Sequence, residues 1–360
     1  MKTSKELPIP IRLLYALAAA AIAWKLAMVF PQGIVYDGIE IGDVGIPLVG
    51  MMQWLDGQSA YDIYTVRNEV MVGYPFPSMF FVVPFLFVPL QWVVPLFCAI
   101  VSGVLAYALL HRNEVWRLLT FLAFPYISAI HSAQWSPLIT AIVLLPGLAP
   151  LAMAKPNLGL VAALLGRWRW WGVGLVLGLV GLSFILYPTW PQEWLRGGGV
   201  GDYDGWMPLL TGPGFLLALA LLRWPSRNAK LLFLMSLAPQ RLWYDQLPVF
   251  LVARSWWELI ILVIGSWASI YISRSLGWVT QLGPYDGRST ALVVCLVYLP
   301  ALVMVLRASD DAFDLWGWLR SVVARKNKKN GLTAGVGCVN ALPFPDSEQV
   351  HLTRKGKKEN

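Results

Sequence analysis

Charge is scarce in this 360-residue chain: 13% of residues are Asp, Glu, Lys or Arg, about half the share of an ordinary soluble domain. That deficit, with 57% hydrophobic residues and a mean hydropathy of +0.59, excludes a soluble enzyme surface. Cysteine is also rare. Cys98 and Cys295 sit inside apolar runs and Cys338 near the end, so neither a disulfide framework nor a metal-thiolate spacing is present. With only three His and no His/Cys/carboxylate cluster, a zinc site is not expected. The apolar runs are continuous, which excludes the alternation of a membrane β-barrel. No internal repeat and no second folded domain are visible.

What is present is a series of apolar stretches near the length that crosses a ~30 Å hydrocarbon core. They lie near 11–30, 76–90, 92–110, 117–132, 135–153, 169–187, 209–223, 229–252, 257–274 and 289–307. The expected fold is therefore all-α, a polytopic transmembrane bundle of about ten spans over residues 1–319. The first stretch follows Lys2 and Lys5 and contains Lys25, and it reads as a retained span rather than a cleaved signal. Pro146 and Pro150 interrupt one stretch, and broken helices at membrane depth must pack on protein or line a cavity. Residues 320–360 hold nine Lys/Arg against three acids and read as a basic, disordered cytoplasmic tail. The basic ends mark the inner side of the cell membrane, so no nucleic-acid partner is invoked. By the same rule the segments 31–73, 188–208 and 275–288 fall on the extracytoplasmic face. If 76–90 and 92–110 both cross fully, the basic stretch 111–117 lands outside; a partial crossing there or in 135–153 resolves the conflict.

The first outer loop, Val35 to Tyr64, holds five acids (Asp37, Glu40, Asp43, Asp56, Asp62) and no base. A carboxylate in a partly desolvated cleft can serve as a general base; solvated loop charges are the alternative. Further along, Lys155 and Arg241 lie at outer helix ends, where the positive-inside bias does not put them. The stretch 46–57 is apolar and reads equally as a surface amphipathic helix or as a buried loop helix. Trp135 and Trp243 are the tryptophans to examine as stacking faces, the others fitting interfacial belts. His131 reads as an interfacial histidine. The run 196–205 lacks the strand and the Lys-Ser/Thr of a phosphate loop and reads as a flexible outer loop.

Four motifs occur in order: Asp43 with Gly57 and Tyr61; Tyr74-Pro75-Phe76-Pro77; Ala133-Gln134 followed by Lys155-Pro156; and Ala238-Pro239, Tyr244-Asp245, Leu247-Pro248. Over about residues 10–250 this pattern resembles the GT-C membrane glycosyltransferases, and most of all glycosyltransferase family 87 (DUF2029-type), the polyprenyl-phosphate-mannose-dependent mannosyltransferases. The family has Gly-Gln where this chain has Ala133-Gln134, and a His pair where it has Tyr244-Asp245. The resemblance implies transfer of mannose or another hexose or pentose from a polyprenyl-phosphate donor to an extracytoplasmic glycolipid, glycan or protein acceptor, within membrane lipid. It implies Asp43 as the base, and Asp37, Glu40, Tyr74, Gln134, Lys155, Arg241, Tyr244 and Asp245 as substrate-binding residues. Asp37 and Glu40 also stand next in line as base, and Asp62 reads as a helix or turn cap. No cofactor or divalent metal is called for. A transporter or flippase of a lipid-linked molecule, which broken helices serve equally well, and a non-catalytic scaffold that keeps the fold are the competing expectations.

Overall fold

Proline marks several of the places where the apolar stretches break, although Leu90–Leu109 stays helical through Pro95. The computed structural model describes residues 7–30, 34–61, 73–166, 168–196, 205–241, 243–279 and 287–308. These belong to a unit of residues 1–313; a second unit, 314–360, contains the basic tail and lies outside the described residues, as does Asp62. The described chain is mostly helical, and each of the ten apolar stretches is built of helix. Four helices are long and apolar enough to cross a membrane: Ile9–Val29, Leu90–Leu109, Trp256–Ser275 and Gly287–Arg307. A fifth counts if Trp170–Leu186 and Trp190–Arg196, bent 87° apart, are one span.

The other stretches are broken. Ser136–Leu144 gives way at Pro146 to a 3₁₀ segment, Pro146–Ala154. Phe76–Met79 continues only as the eight-residue 3₁₀ helix Phe80–Phe87, which holds Pro84. At a rise of about 1.5–2.0 Å per residue, Phe76–Phe87 falls short of a bilayer core. Both stretches that could carry a partial crossing, 76–90 and 135–153, are thus broken or short. A proline inside a helix removes one bond and clashes with the preceding turn.

Small residues let the spans approach. Ile9–Val29 lies antiparallel to Leu90–Leu109: Arg12 is over the Tyr107 ring at 4.0 Å, and Trp24 stacks on Trp92 at 5.7 Å. Between these contacts a side chain on Gly103 would come within 3.2 Å of the Ala16 carbonyl. Gly265 sits closer still, with room for no Cβ beneath the Leu296 carbonyl, where Trp256–Ser275 crosses the last helix. The outward faces of Ile9–Val29 and Trp170–Leu186 are exposed and apolar, as surfaces toward lipid are.

The first loop folds into two devices. Asp37-Gly38, both at positive φ (47° and 74°), close a two-residue hairpin between Val35–Tyr36 and Ile39–Glu40. The helix Gly42–Leu55 follows, and apart from half-buried Asp43 it is buried from Gly42 to Met51 rather than spread on the surface. Gly50 lies against the Ala60 carbonyl. The helix ends on Gly57 at φ 78°, with Gly57 N–H donating to Trp54 O (3.1 Å) and Gln58 N–H to Gln53 O (2.9 Å). This is the left-handed glycine stop that takes up a helix's last carbonyls. The separation of Asp43 from Gly57 is therefore the length of one capped helix, with Asp43 in its first turn.

Candidate functional site

A second helix stop of the same kind fixes the floor of the site. Phe124–His131 ends at Ser132 and Ala133, with Ala133 N–H on Ile130 O (3.3 Å) and Gln134 N–H on Ala129 O (2.8 Å). Ala133 holds the left-handed position, φ 47°, that normally selects glycine. Ser132 O in turn accepts the backbone N–H of Asp43 at 2.9 Å, so the acidic helix starts on this stop. Gly42, at φ 54°, turns the chain into that contact.

Three further ties gather the remaining segments. Ser78 Oγ donates to Met153 O (2.6 Å), joining the Tyr74 segment to the Lys155 turn. Asn157 Nδ2 donates to Pro239 O (3.0 Å), joining that turn to Arg241. Gly159, where a Cβ would collide with the Ala152 carbonyl, lets the chain reverse tightly around Lys155. A two-stranded bridge, Trp206 with Gln240, brings Gly205 and Met207 alongside Pro239 and Arg241. The buried Gln240 side chain is held by Met235 O (3.0 Å) and by the Tyr298 hydroxyl, which stands at the end of a π-turn in the last span.

These segments enclose a cavity of about 400 Å³. Asp43, Tyr74, Lys155, Asn157, Arg241 and Tyr244 form its polar lining, and Ile46, Pro75, Trp194 and Met207 are among its apolar walls. Asp43 keeps a partly open face toward the cavity, and Tyr244 Oη donates to its Oδ2 over a long 3.5 Å. Burial of the carboxylate raises its pKa above the ordinary value; the charges of Lys155 and Arg241 pull the other way and lose. The Arg241 side chain is exposed and borders the cavity.

Lys155 is not held for the cavity alone. Its Nζ donates to Asp245 Oδ1 at 2.6 Å and Gln134 Oε1 at 2.9 Å, and it lies 4.4 Å from the centre of the Tyr244 ring. Asp245, with no solvent exposure, also accepts from Ser136 Oγ (3.4 Å) and from the Arg241 backbone N–H (2.8 Å). Behind the cavity is therefore a paired charge cluster, in which only the Gln134 Nε2 is buried without a hydrogen-bond partner.

No protein-family model, no curated protein and no solved structure matches this chain.

Of the residues expected at a site, Asp43, Tyr74, Lys155, Arg241 and Tyr244 line one cavity although they span some 200 positions. Gln134 and Asp245 are buried behind it; Gln134 reaches it through Lys155, and Asp245 through Lys155 and the Arg241 backbone. Asp37 and Glu40 are exposed in the hairpin and are not among the cavity's lining residues; the turn geometry accounts for Asp37. Trp135 packs edge-on against Phe97 (4.8 Å) and Trp243 against Phe124 (5.7 Å), both buried, so neither offers a free face. The tryptophan that does line the cavity is Trp194, on Trp190–Arg196, in a stretch whose sequence carries no periodic signal. Of the glycine-rich run 196–205, residues 197–204 lie outside the described residues. Among the described residues no group of three or more His, Cys, Asp or Glu is placed to hold a metal ion.

Proposed function

We propose that this protein is a membrane glycosyltransferase that moves a sugar from a polyprenyl-phosphate donor to an acceptor hydroxyl, with Asp43 as general base. The observation that carries the reading is one cavity in which a carboxylate of raised pKa faces the cations Arg241 and Lys155. In the proposed step the acceptor oxygen attacks the anomeric carbon and its proton passes to Asp43. The bond from that carbon to the phosphate oxygen breaks, and the phosphate leaves with the electron pair and one more negative charge. A base held above the usual carboxylate value accepts that proton more readily than a solvated aspartate. Developing phosphate charge calls for fixed donors, and Arg241 is the cation best placed to supply them. Lys155, already shared by Asp245 and Gln134, acts mainly by holding Tyr244 and the positive potential of the floor. The order of motifs described above supports assignment to the GT-C class, and the charge asymmetry supports an extracytoplasmic cavity with cytoplasmic termini in a cell membrane.

The test is transfer by reconstituted protein from a set of labelled polyprenyl-phosphate sugars. Asp43→Asn is expected to lower turnover at least about a hundredfold while the protein still purifies as a folded species. Arg241→Gln is expected to reduce donor use about tenfold or more, with acceptor dependence little changed. Full turnover by Asp43→Asn rejects the base. An inactive wild type that instead moves the intact lipid-linked sugar across a vesicle favours a flippase.

A further inference from the structure

The cavity has one wall that the proposed chemistry leaves unused, and it is unusually well fastened. After Trp170–Leu186 the chain turns by 87° into the short helix Trp190–Arg196. Glu193 on that helix is the acceptor for three hydroxyls: Thr189 Oγ1 at 2.6 Å, Ser59 Oγ at 2.8 Å, and Tyr187 Oη. Ser59 follows the Gly57 stop, so the clamp fastens this helix to the loop that carries Asp43. Tyr187 packs edge-on against Phe76 (5.1 Å), one residue past the Tyr74-Pro75 wall, and beside Tyr61 (6.3 Å). On the other side Trp190 is buried between Phe184 (5.6 Å) and Trp194 (6.2 Å). The result of all this fastening is that Trp194, half-buried, is presented to a cavity shared with Asp43, Asn157 and Arg241.

We propose that Trp194 is a stacking face for the sugar ring, and that Glu193 is the positioning residue that holds it there. The inference rests on the transferase reading and adds the subsite that selects the carbohydrate. A pyranose or furanose ring has one face of C–H bonds and a rim of hydroxyls. An indole covers the first while groups such as Asn157 and Asp43 answer the second, and a large rigid ring does so at little entropic cost. The cavity pairs apolar walls, Trp194 among them, with the polar groups Asp43, Asn157 and Arg241, the combination that a ring with one C–H face and a hydroxyl rim requires.

The experiment uses the full chain in detergent micelles and two kinds of probe: farnesyl phosphate, and farnesyl-phosphoryl esters of mannose, glucose and arabinofuranose. Direct titration should show wild type binding at least one sugar ester more tightly than farnesyl phosphate. Trp194→Leu should weaken that ester about tenfold, the upper range for one ring contact, and leave farnesyl phosphate within about twofold. Trp194→Phe should retain most of the preference. Glu193→Ala, which frees the helix without touching the indole, should repeat the selective loss even if Trp194→Leu does not fold. Equal weakening of ester and farnesyl phosphate would make Trp194 a wall for the lipid and overturn the proposal. So would an unchanged preference in Trp194→Leu or in Glu193→Ala. Wild type that binds farnesyl phosphate with no preference for any ester removes the subsite alone; wild type that binds no probe removes the transferase reading beneath it.

Discussion

The Lys155–Asp245 pair offers a sharp physical test, because it joins two residues that sequence reasoning assigned to substrate. Asp245 is fully buried and Lys155 nearly so, and their contact is 2.6 Å. Removing one partner of such a pair leaves an uncompensated buried charge, which costs about 3–5 kcal/mol. Lys155→Met leaves the Asp245 carboxylate with only the Ser136 hydroxyl and the Arg241 N–H. Asp245→Asn leaves the ammonium on Gln134 and the Tyr244 ring, and turns an amide donor toward one of Asp245's present donors. The double variant has no stranded charge; it gives up the charge-assisted bonds of the pair and leaves Gln134 Oε1 without the lysine, so its cost should be about 1–3 kcal/mol, well under the sum of the singles. Equilibrium unfolding by SDS titration in mixed micelles measures all four proteins. If each single variant costs less than about 1 kcal/mol, or the double equals the sum, the pair is not a buried structural unit and Lys155 is free for substrate after all. In contrast, Arg241→Gln is expected to change stability by less than about 0.5 kcal/mol, as for other exposed side chains.

Four further outcomes are expected. The acid limb of kcat/KM should lie above the ordinary aspartate value, because Asp43 must lose a proton that burial favours; Arg241→Gln should move that limb to higher pH, and an unmoved limb would separate Asp43 from the titration. By linkage, a raised folded pKa means stability present below the unfolded value of about 3.8 and lost as pH rises through the folded one, so Asp43→Asn should be more stable than wild type at pH 7 and lose that advantage in acid. At the left-handed position, Ala133→Gly should stay within about 1 kcal/mol of wild type while Ala133→Val costs about 2 kcal/mol or more by thermal unfolding, and equal tolerance of both would dispute the backbone there. Finally, a cysteine at exposed Gln58 in a cysteine-free background should react with an impermeant thiol reagent on intact cells, and one at Ser347 should not; the reverse pattern inverts the proposed orientation.

The legible part of the fold was the part written in hydrophobicity. Every apolar stretch became helix, but stretch length overstated the unbroken crossings, because Pro84, Pro146 and Pro150 break helices that hydropathy alone runs together. Spacing was legible where a helix with a glycine stop sets it, as between Asp43 and Gly57. The site was half legible. Lys155 and Arg241 stood out as cations in unexpected places and Asp43 by its place in the motif order, and the cavity holds all three. The sequence could not show that Asp245 would occupy Lys155, since the two are 90 positions apart and nothing local links them. Nor could it separate Trp194 from the other interfacial tryptophans: its place depends on the Glu193 clamp, a contact reaching 134 positions back to Ser59.

That same distance matters while the chain is being made. Lys155 is synthesised well before Asp245, and at about 5–20 residues per second the gap lasts roughly 5–20 s. For that interval the nascent protein holds an ammonium at its half-built centre with no carboxylate to meet it. The Pro146–Ala154 segment and the tight reversal at Gly159 are local in sequence and need nothing from the later chain. Burial of the cation thus becomes a late event, timed by the arrival of Asp245, and a chain stalled before that residue presents an unfinished, charged cleft for quality control to find.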